Sequence, residues 1–444
     1  MTQFCFSVQR SVDMVFSLIS FFILISVSPS NGYDPLDPHG NITIKWDLLQ
    51  SNPDTSDVRV SIFNFQLYRH IERPGWQLGW EWQGDEAIMS MLGAEATEQG
   101  NCSRFKGGEN LPHCCEKKPM IIDLLPEASF NMKTSNCCKG GVLSSMVQDP
   151  SNYAAIFVMK IGAVNSSDQF KMPGNFSFGV SGYTCGQPVR VPPSRYSSDS
   201  GRRWTQAVGT WNITCMYSQF MASSSPKCCV SLSAFYNTTI VPCPKCSCSC
   251  HASKCVMFGE TPPVLQEMRD SNQQIPTLIR CSSHMCPIRI HWHIKQSYKQ
   301  YWRVKVTLNN RNILKNYSQW NLEAVHPNFK NLTQVFSFNY EPLNPYGHIN
   351  DSGMFWGIRY YNDMLLQEGE NGYVQTEMLM RKGENFPNFR QGWGFPTRVL
   401  FNGDECVMPL PDQYPTLPNT GGNGLIISLS LLVLSLLVLT IVCF

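Results

Sequence analysis

The sequence predicts an all-β protein made of two β-sandwich-like domains and crosslinked by disulfides. Short runs rich in β-branched and aromatic residues recur along most of the 444-residue chain. The 29 prolines and 31 glycines supply turns between such runs, as a β-sandwich requires. The 19 cysteines favour a disulfide framework, provided that the chain is exported.

Eight runs are predicted to form strands. In the second of them Val58, Val60 and Ile62 alternate with polar residues, which is the pattern of a strand with one buried face. A single helix is predicted over Glu86–Gln99, although Gly93 lowers its helix propensity. In chain order, the strand runs are Asn41–Trp46, Val58–Asn64, Gly75–Trp82, Ala154–Ile161, Trp211–Tyr217, Arg289–Ile294, Trp302–Leu308 and Gly353–Tyr361.

Segment 1–32 is predicted to be a secretory signal peptide. Arg10 precedes an apolar run from Val15 to Val27, and small residues follow it. This run is too short to span a bilayer, which needs about 20 residues. We therefore expect the mature chain to start at Tyr33.

The C-terminal residues predict a GPI attachment signal. Residues 414–424 form a spacer with several small residues, and the tail 425–444 is almost wholly apolar. A transmembrane helix is the alternative, but such a helix usually carries basic residues on its cytoplasmic side, and none follows this tail. The tail would be removed on attachment at Asn419, with Gly421, Gly422 and Asn423 as alternatives.

Nine N-x-S/T sequons accompany these signals and predict a glycosylated lumenal path. The formal net charge of +2 and the 15% of charged residues give no reason to expect a nucleic-acid partner. The 12% of aromatic residues, including eleven tryptophans, make a polysaccharide surface a candidate. The sequons begin at Asn41, Asn101, Asn165, Asn175, Asn212, Asn237, Asn316, Asn331 and Asn350.

The cysteines predict several disulfides and at least one thiol that is either free or bonded to another molecule. Two of the nineteen, Cys5 and Cys443, lie in the segments predicted to be removed, and the remaining seventeen are an odd number. Three pairs are adjacent in sequence, and each member is expected to reach a different partner because bonding neighbours strains the backbone. Disulfide candidates are Cys114, Cys115, Cys137, Cys138, Cys228, Cys229, Cys243, Cys246, Cys248, Cys250, Cys255, Cys281 and Cys286.

Two segments raise the question of a metal site. Segment 243–251 has the C-x-x-C spacing of a zinc site, but an exported chain favours disulfides there and leaves His251 as an exposed loop histidine. His291 and His293 share a strand face, where the preferred interpretation is two outward polar residues flanking a buried Trp292. No metal and no cofactor are predicted.

Domain organisation follows from composition. Residues 188–202 are rich in proline and serine and are predicted to link domain 33–187 to a cysteine-rich domain, 203–413. A polar stretch, Glu260–Gln274, is expected to be a surface loop.

A short pattern recurs in the two halves of the chain. Arg59-Val60 followed by Trp76-x-Leu78 is repeated, with the same internal spacing, as Arg303-Val304 followed by Trp320-x-Leu322. The recurrence predicts that the second half is another sandwich of similar design.

Several motifs resemble those of the COBRA family. Among them are Tyr33-Asp-Pro-Leu-Asp-Pro38, Pro74-Gly-Trp-Gln-Leu-Gly-Trp80, Asn136-Cys-Cys-Lys-Gly-Gly141, Cys286-Pro-Ile-Arg-Ile-His-Trp-His293 and Phe401-Asn-Gly-Asp404. Cys228-Cys-Val-Ser231 is similar to the CCVS signature that names the family's cysteine-rich domain. The resemblance covers the whole chain, including both processing signals.

The resemblance implies a plant glycoprotein on the extracellular face of the plasma membrane, held in the outer leaflet by a GPI lipid, with the cell wall as a further location. It implies a role in cellulose deposition and orientation, and so in cell wall biogenesis during anisotropic growth or wall thickening. It implies no catalytic activity, and no catalytic residue is assigned. Its N-terminal module is similar to cellulose-binding β-sandwiches, so cellulose or a related β-glucan is the expected partner.

Four tryptophans are the candidate cellulose-binding residues: Trp46, Trp76, Trp80 and Trp82. The last three share one face of a strand with Leu78, and an aromatic ring face can stack on the apolar C–H groups of a sugar. An unbroken apolar face is also what a sandwich core presents, so core packing is the alternative. Trp80 or Trp82 is expected to be the exposed member.

Two other functions compete with sugar binding. A glycosidase would need two carboxylates across a cleft, but Asp85-Glu86 and Glu368-x-Glu370 lie in polar, exposed contexts. A cell-surface scaffold that binds other wall or membrane proteins is the stronger alternative.

Overall fold

The structure is a computed structural model. It describes residues 34–52, 54–105, 111–163, 170–197, 202–219, 221–222, 228–235, 240–244, 255–257, 279–281, 288–310, 317, 319–344, 351–358, 372–382 and 394–415. The signal peptide, the loop Glu260–Gln274 and the GPI signal therefore lie outside the described residues.

The chain divides into two compact units. The first contains the residues up to Gln66, Ile71–Leu143 and Ser151–Ser223. The second contains Leu67–His70, Ser144–Pro150 and the chain from Ser224 onward.

The regular secondary structure of the described residues is almost entirely β, as predicted. Helical structure within them is limited to 3-10 turns at Ser103–Phe105, Phe130–Met132, Phe329–Asn331 and Pro411–Gln413. The strands of the first unit are β1 (Ile42–Ser51), β2 (Thr55–Asn64), β3 (Gln77–Glu81), β4 (Glu86–Leu92), β5 (Ala94–Ala96), β6 (Met120–Asp123), β7 (Ala154–Ala163), β8 (Gly174–Phe178), β9 (Tyr183–Cys185), β10 (Val189–Val191), β11 (Arg195–Ser197), β12 (Trp204–Gln206) and β13 (Gly209–Tyr217).

The second unit continues the numbering. Its strands are β14 (Cys228–Ala234), β15 (Ile240–Val241), β16 (Cys255–Met257), β17 (Ile279–Cys281), β18 (Ile288–Ser297), β19 (Tyr301–Asn310), β20 (Asn321–Val325), β21 (Leu332–Val335), β22 (Phe338–Leu343), β23 (Ser352–Gly357), β24 (Tyr373–Arg381), β25 (Arg398–Phe401) and β26 (Asp404–Glu405).

The first unit is a sandwich of two sheets. Its larger sheet has the order β10-β13-β1-β2-β7-β4, with β9 also paired to β13, and its smaller sheet has the order β5-β6-β3-β8. A separate two-stranded ribbon is formed by β11 and β12. Apolar side chains from both sheets, such as Ile44, Val60, Leu78 and Ile121, meet in one buried core, because alternate residues of each strand point to the same side.

The second unit is also a sandwich. Its larger sheet has the order β15-β14-β18-β19-β24-β21, and its smaller sheet has the order β22-β23-β20-β25-β26. Its core likewise draws on both sheets, for example Ile290 and Val306 from the larger and Leu322 and Phe355 from the smaller.

The two units share a topology, which confirms the repeat that the sequence pattern predicts. The series β1 to β8 and the series β18 to β25 visit the larger and smaller sheets in the same succession, starting with an antiparallel hairpin in the larger sheet. Trp76 directly precedes β3, and Trp320 directly precedes the equivalent β20. The units differ in the strand beside the hairpin: β13 follows it in sequence and is antiparallel to β1, whereas β14 precedes it and is parallel to β18.

Each of the eight predicted strand runs contains a strand in the described residues, although residues 359–361 of the last run lie outside the description, and the predicted helix is wrong. Residues 86–99 instead hold β4 and β5, which are separated by Gly93 at a φ of +85°. A side chain at that φ is strained, so the segment bends there and passes from the larger sheet to the smaller one. Residues 188–202, predicted as a linker, contain β10 and β11, and β10 pairs with β13 of the first unit.

Five disulfides join described cysteines. The expectation that adjacent cysteines never bond each other is wrong at one pair, because Cys137 and Cys138 are joined to each other. The turn around this pair is held by Asp123, whose carboxylate accepts backbone N–H hydrogen bonds from Cys138, Lys139 and Gly141 at 2.8–2.9 Å. The other disulfides are Cys102–Cys115, Cys185–Cys215, Cys228–Cys406 and Cys229–Cys243.

Cys102, Cys185, Cys215 and Cys406 were not among the predicted disulfide candidates. Cys114 was predicted as a disulfide candidate, and that prediction is wrong: among the described cysteine side chains it is the free one. Its burial raises the pKa of the thiol. Cys246, Cys248, Cys250 and Cys286 lie outside the described residues, and of Cys255 and Cys281 only the backbone is described.

Candidate functional site

The four candidate tryptophans are buried, so the expectation that Trp80 or Trp82 is exposed is wrong. Trp46, Trp76, Trp80 and Trp82 each expose at most 2% of their surface. They belong to the core between the two sheets of the first unit. A polysaccharide on the surface of this fold cannot stack on any of them.

The packing explains their burial. The ring centroids of Trp46 and Trp80 are 5.1 Å apart and those of Trp80 and Trp82 are 5.4 Å apart, both in edge-to-face contact. Trp46 also contacts Phe176, and Trp76 stacks on Phe157 at 6.0 Å. Edge-to-face contact is the arrangement that aromatic rings favour inside a protein. The alternation on the strand therefore identified one face correctly, and that face is the core.

Trp204 is the exposed tryptophan of the first unit. It lies on β12 with 69% of its surface exposed. The ribbon of β11 and β12 places Trp204 directly opposite Ser197, whereas Tyr196 is opposite Thr205. Since neighbouring residues of a strand point to opposite sides, Trp204 and Tyr196 lie on opposite faces of the ribbon.

The ribbon is anchored on the outer face of the larger sheet, defined here as the side of β1 and β2 that carries Lys45, Asp47, Arg59 and Phe63. The guanidinium of Arg59 lies 5.7 Å from the ring centroid of Tyr196. At the base of the ribbon, Ser194 donates its N–H to Thr210 Oγ1 at 3.0 Å, and that hydroxyl donates to Asp47 Oδ1 at 2.6 Å. One side of the ribbon is thus fixed, and the side with Trp204 is free to meet a ligand.

A second group of surface rings lies on the same outer face. This aromatic cluster consists of Phe63, Phe65 and Tyr153, with ring centroids 5.6–6.0 Å apart. Phe63 and Phe65 are nearly parallel at 19°, and Phe65 is 37% exposed. Lys45 Nζ lies 5.7 Å from the centroid of Phe63. Phe63 is four residues from Arg59 on β2, about 13 Å along the strand.

Neither Trp204 nor the aromatic cluster was among the predicted site residues. A signal for Trp204 was available, because its neighbours Arg202, Arg203, Thr205 and Gln206 are polar. A tryptophan without apolar residues at alternate positions has no strand face to join in the core. A signal for the cluster was also available, because the alternation that buries Val58, Val60 and Ile62 places Phe63 on the opposite, outward face of the strand.

The histidines of β18 are structural. Trp292 between them is buried and donates Nε1–H to the carbonyl of Gly394 at 3.0 Å. His291 hydrogen-bonds to Ser231 at 2.7 Å and to Ser233 at 2.9 Å, and His293 to Ser233 at 2.7 Å. Within the described residues no group of three or more His, Cys, Asp or Glu side chains could hold a metal ion.

Of the carboxylates considered for catalysis, Asp85 and Glu86 are described, and both have partners at the surface. Asp85 forms a surface ion pair with Arg104 at 3.3 Å, and Glu86 accepts the backbone N–H of Gly84 at 2.7 Å. Glu368 and Glu370 lie outside the described residues.

The described sequons differ in exposure. Asn101 and Asn175 are exposed, and Asn41 and Asn212 are half-buried. Asn212 lies within β13, and its Oδ1 is buried without a hydrogen-bond partner in the described part of the chain. Asn165, Asn237, Asn316, Asn350 and the side chain of Asn331 are outside the description, as are Asn419, Gly421, Gly422 and Asn423. No helix in the described ranges is long and apolar enough to cross a membrane.

Comparison with known proteins matches this chain to one protein family. The COBRA N-terminal domain matches residues 57–218, and the COBRA family C-terminal domain matches residues 227–415. COBRA-like protein 6 of Arabidopsis thaliana is 54% identical over 412 residues, covering 92% of this chain and 91% of that protein. COBRA-like protein 1 of Oryza sativa subsp. japonica is 54% identical over 409 residues, covering 90% and 91%. Protein COBRA of Arabidopsis thaliana is 48% identical over 448 residues, covering 98% of each chain.

Proposed function

The chain belongs to the COBRA family, and on that premise we propose that it is a non-enzymatic, GPI-anchored glycoprotein of the plant cell surface that binds cellulose during wall deposition. The signal peptide and the GPI signal of the sequence support export and anchoring. The proposed role is in the deposition and orientation of cellulose during anisotropic growth or wall thickening.

The exposure of Trp204 is the observation that carries the binding part of this proposal. A solvent-facing indole on an anchored ribbon offers a flat ring to the apolar C–H faces of a glucan chain. The aromatic cluster adds further ring surface on the same unit. In this proposal Trp204 and the aromatic cluster bind cellulose, and the four buried tryptophans do not.

Retention on insoluble cellulose tests the proposal. The full chain is expressed in plant cells, extracted in detergent and compared with Trp204→Ala and Trp204→Ala/Phe65→Ala. We expect Trp204→Ala to weaken retention at least about fivefold, since a stacked ring contributes about 1 kcal/mol beyond its buried area. We expect the double variant to abolish retention. Phe130→Ala is the matched control, because Phe130 is a 92% exposed ring of the same unit that lies outside the proposed surface.

The outcomes separate the candidate functions. Equal loss in Trp204→Ala and Phe130→Ala would mean that retention is non-specific. No retention of the folded wild-type protein would refute cellulose binding and favour a scaffold that binds other wall or membrane proteins. Release of the protein from intact cells by a phosphatidylinositol-specific phospholipase tests the anchor independently.

A further inference from the structure

The larger sheet of the second unit has a strongly cationic outer side. We call it the basic face and define it by Arg289, Lys295, Arg303, Lys305 and Arg381, which alternate with the core residues of β18, β19 and β24. Among the residues of the six strands of this sheet, Glu377 is the one carboxylate. Five cations against one anion is a large local imbalance in a chain whose formal net charge is +2.

Glu377 is already neutralised by two of these cations. It accepts hydrogen bonds from Lys295 at 2.5 Å and from Arg303 at 2.6 Å. Although burial alone would raise the pKa of Glu377, these hydrogen bonds hold it below its usual value. Lys305 and Arg381 have no ion-pair partner among the described residues, so their charges are available to a ligand.

The same face contains a cleft lined by aromatic rings. Its volume is about 320 Å³, and its lining residues are Tyr298, Tyr301, Arg303, Phe336 and Leu379. Tyr298 is 45% and Phe336 51% exposed, so both rings are accessible from solvent. Arg381 lies directly opposite Tyr301 in the pairing of β19 with β24, and Lys305 is two residues from Arg303 on the same side of β19.

The histidines mark the other end of the face and add no charge to it. Burial lowers the pKa of His291 to about 4 and also lowers that of His293. Both ring nitrogens of His291 hydrogen-bond to Ser231 and Ser233, and Nδ1 of His293 hydrogen-bonds to Ser233. The available charge is therefore concentrated beside the cleft.

We propose that the basic face binds an acidic polysaccharide, a chain of uronic acid residues. Sugar rings stack on Tyr298, Tyr301 and Phe336, while carboxylates pair with Lys305, Arg381 and the outer edge of Arg303. An anionic membrane would use the charges but would not need a cleft lined by aromatic rings. The site is separate from the cellulose surface of the first unit and does not depend on it.

Binding of sodium polygalacturonate to the full chain tests this site. The double variant Lys305→Gln/Arg381→Gln removes two unpaired cations, and we expect its Kd to rise at least about tenfold, because the bound carboxylates lose charge-assisted hydrogen bonds. Lys118→Gln/Lys160→Gln is the matched control, because it removes the same charge from exposed lysines of the first unit. Phe336→Ala should weaken binding without any change of charge.

Four further measurements make the test decisive. Fully methyl-esterified polygalacturonate, which lacks the charge, should bind weakly, and binding of the acid form should fall with salt. Equal binding of acid and ester, or equal loss in the two double variants, would overturn the proposal. So would binding to phosphatidylserine vesicles without binding to polygalacturonate. Cellulose retention should be unchanged in Lys305→Gln/Arg381→Gln, which keeps a failure of this proposal distinct from a failure of cellulose binding.

Discussion

At the scale of single residues, burial fixes the charge state of His326. Its side chain is fully buried and stacks on Trp292 with ring centroids 5.8 Å apart. Its Nδ1 accepts the backbone N–H of Asn328 at 3.0 Å. Burial lowers the pKa of His326 to about 3 from its usual 6.5, because the surrounding core disfavours the charged ring.

This burial predicts that the protein loses stability in mild acid. The pKa of His326 in the folded state lies below that in the unfolded chain, so the unfolded chain binds the proton first as pH falls below 6.5. The contribution of neutral His326 to the unfolding free energy is therefore complete above pH 6.5 and is lost progressively toward pH 3. About 2–3 kcal/mol of it is lost by pH 4.5. His326→Phe keeps a ring against Trp292 and should flatten the dependence of unfolding free energy on pH. Equal slopes for variant and wild type between pH 7 and 4.5 would contradict this assignment.

The tryptophans show what a sequence can say about one residue. Alternation on a strand places Trp76, Trp80 and Trp82 on one side, and the structure agrees. The same alternation cannot say whether that side meets solvent or a second sheet, because a binding face and a core face use the same residue types. The answer came from long-range packing, such as the contact of Trp46 with Phe176, which joins residues far apart in the chain.

At the scale of elements, β14 is held by crosslinks as well as by hydrogen bonds. Every residue of this strand is buried, and it pairs in parallel with β18. Cys228 bonds Cys406, which is 178 residues away, and the adjacent Cys229 bonds Cys243. Since successive side chains of a strand point to opposite faces, the two disulfides fix β14 on both sides of the sheet.

The length of the closed loop predicts how much these crosslinks contribute. Removing Cys228–Cys406 as a double alanine variant should lower the unfolding free energy by about 5 kcal/mol, and removing Cys102–Cys115 by about 3 kcal/mol, because a longer loop restricts the unfolded chain more. Cys102–Cys115 serves as the comparison because its two cysteines are only 13 residues apart in sequence. Denaturation by guanidinium chloride measures both. A larger loss for Cys102–Cys115 would show that native packing, not loop entropy, sets the effect.

The segment from Glu86 to Gln99 explains why one element was missed. Ala87, Met91 and Ala94 are spaced as on a helix face, yet the chain forms two short strands there. Ile88 exchanges backbone hydrogen bonds with Cys114, so the partner of this segment is distant in sequence. Local periodicity does not contain that information, whereas the eight predicted strands carried enough β-branched and aromatic residues to be recognised alone.

At the scale of the whole molecule, the chain uses one sandwich topology twice. Four matching residues over a short stretch were enough to predict the repeat, and the strand order of both units bears it out. What the sequence could not supply was the origin of the flanking strand, which follows the hairpin in one unit and precedes it in the other. The exposed residues also differ: the first unit presents Trp204, and the second presents a basic face. A shared framework thus carries two different surfaces.

The repeat predicts that truncating the equivalent core tryptophan in either unit lowers the unfolding free energy by the same amount. Trp76 and Trp320 each directly precede the equivalent strand of the smaller sheet, expose at most 1% of their surface, and pack on a phenylalanine, Phe157 and Phe338 respectively. Trp76→Ala and Trp320→Ala should each lower the unfolding free energy by about 3–5 kcal/mol, since each leaves a cavity of similar size. Thermal unfolding of the full chain measures both, with the exposed Trp204→Ala as the variant expected to leave stability unchanged. If one variant lost much of its unfolding free energy and the other lost little, the two units would share a topology while these two tryptophans contributed differently to stability.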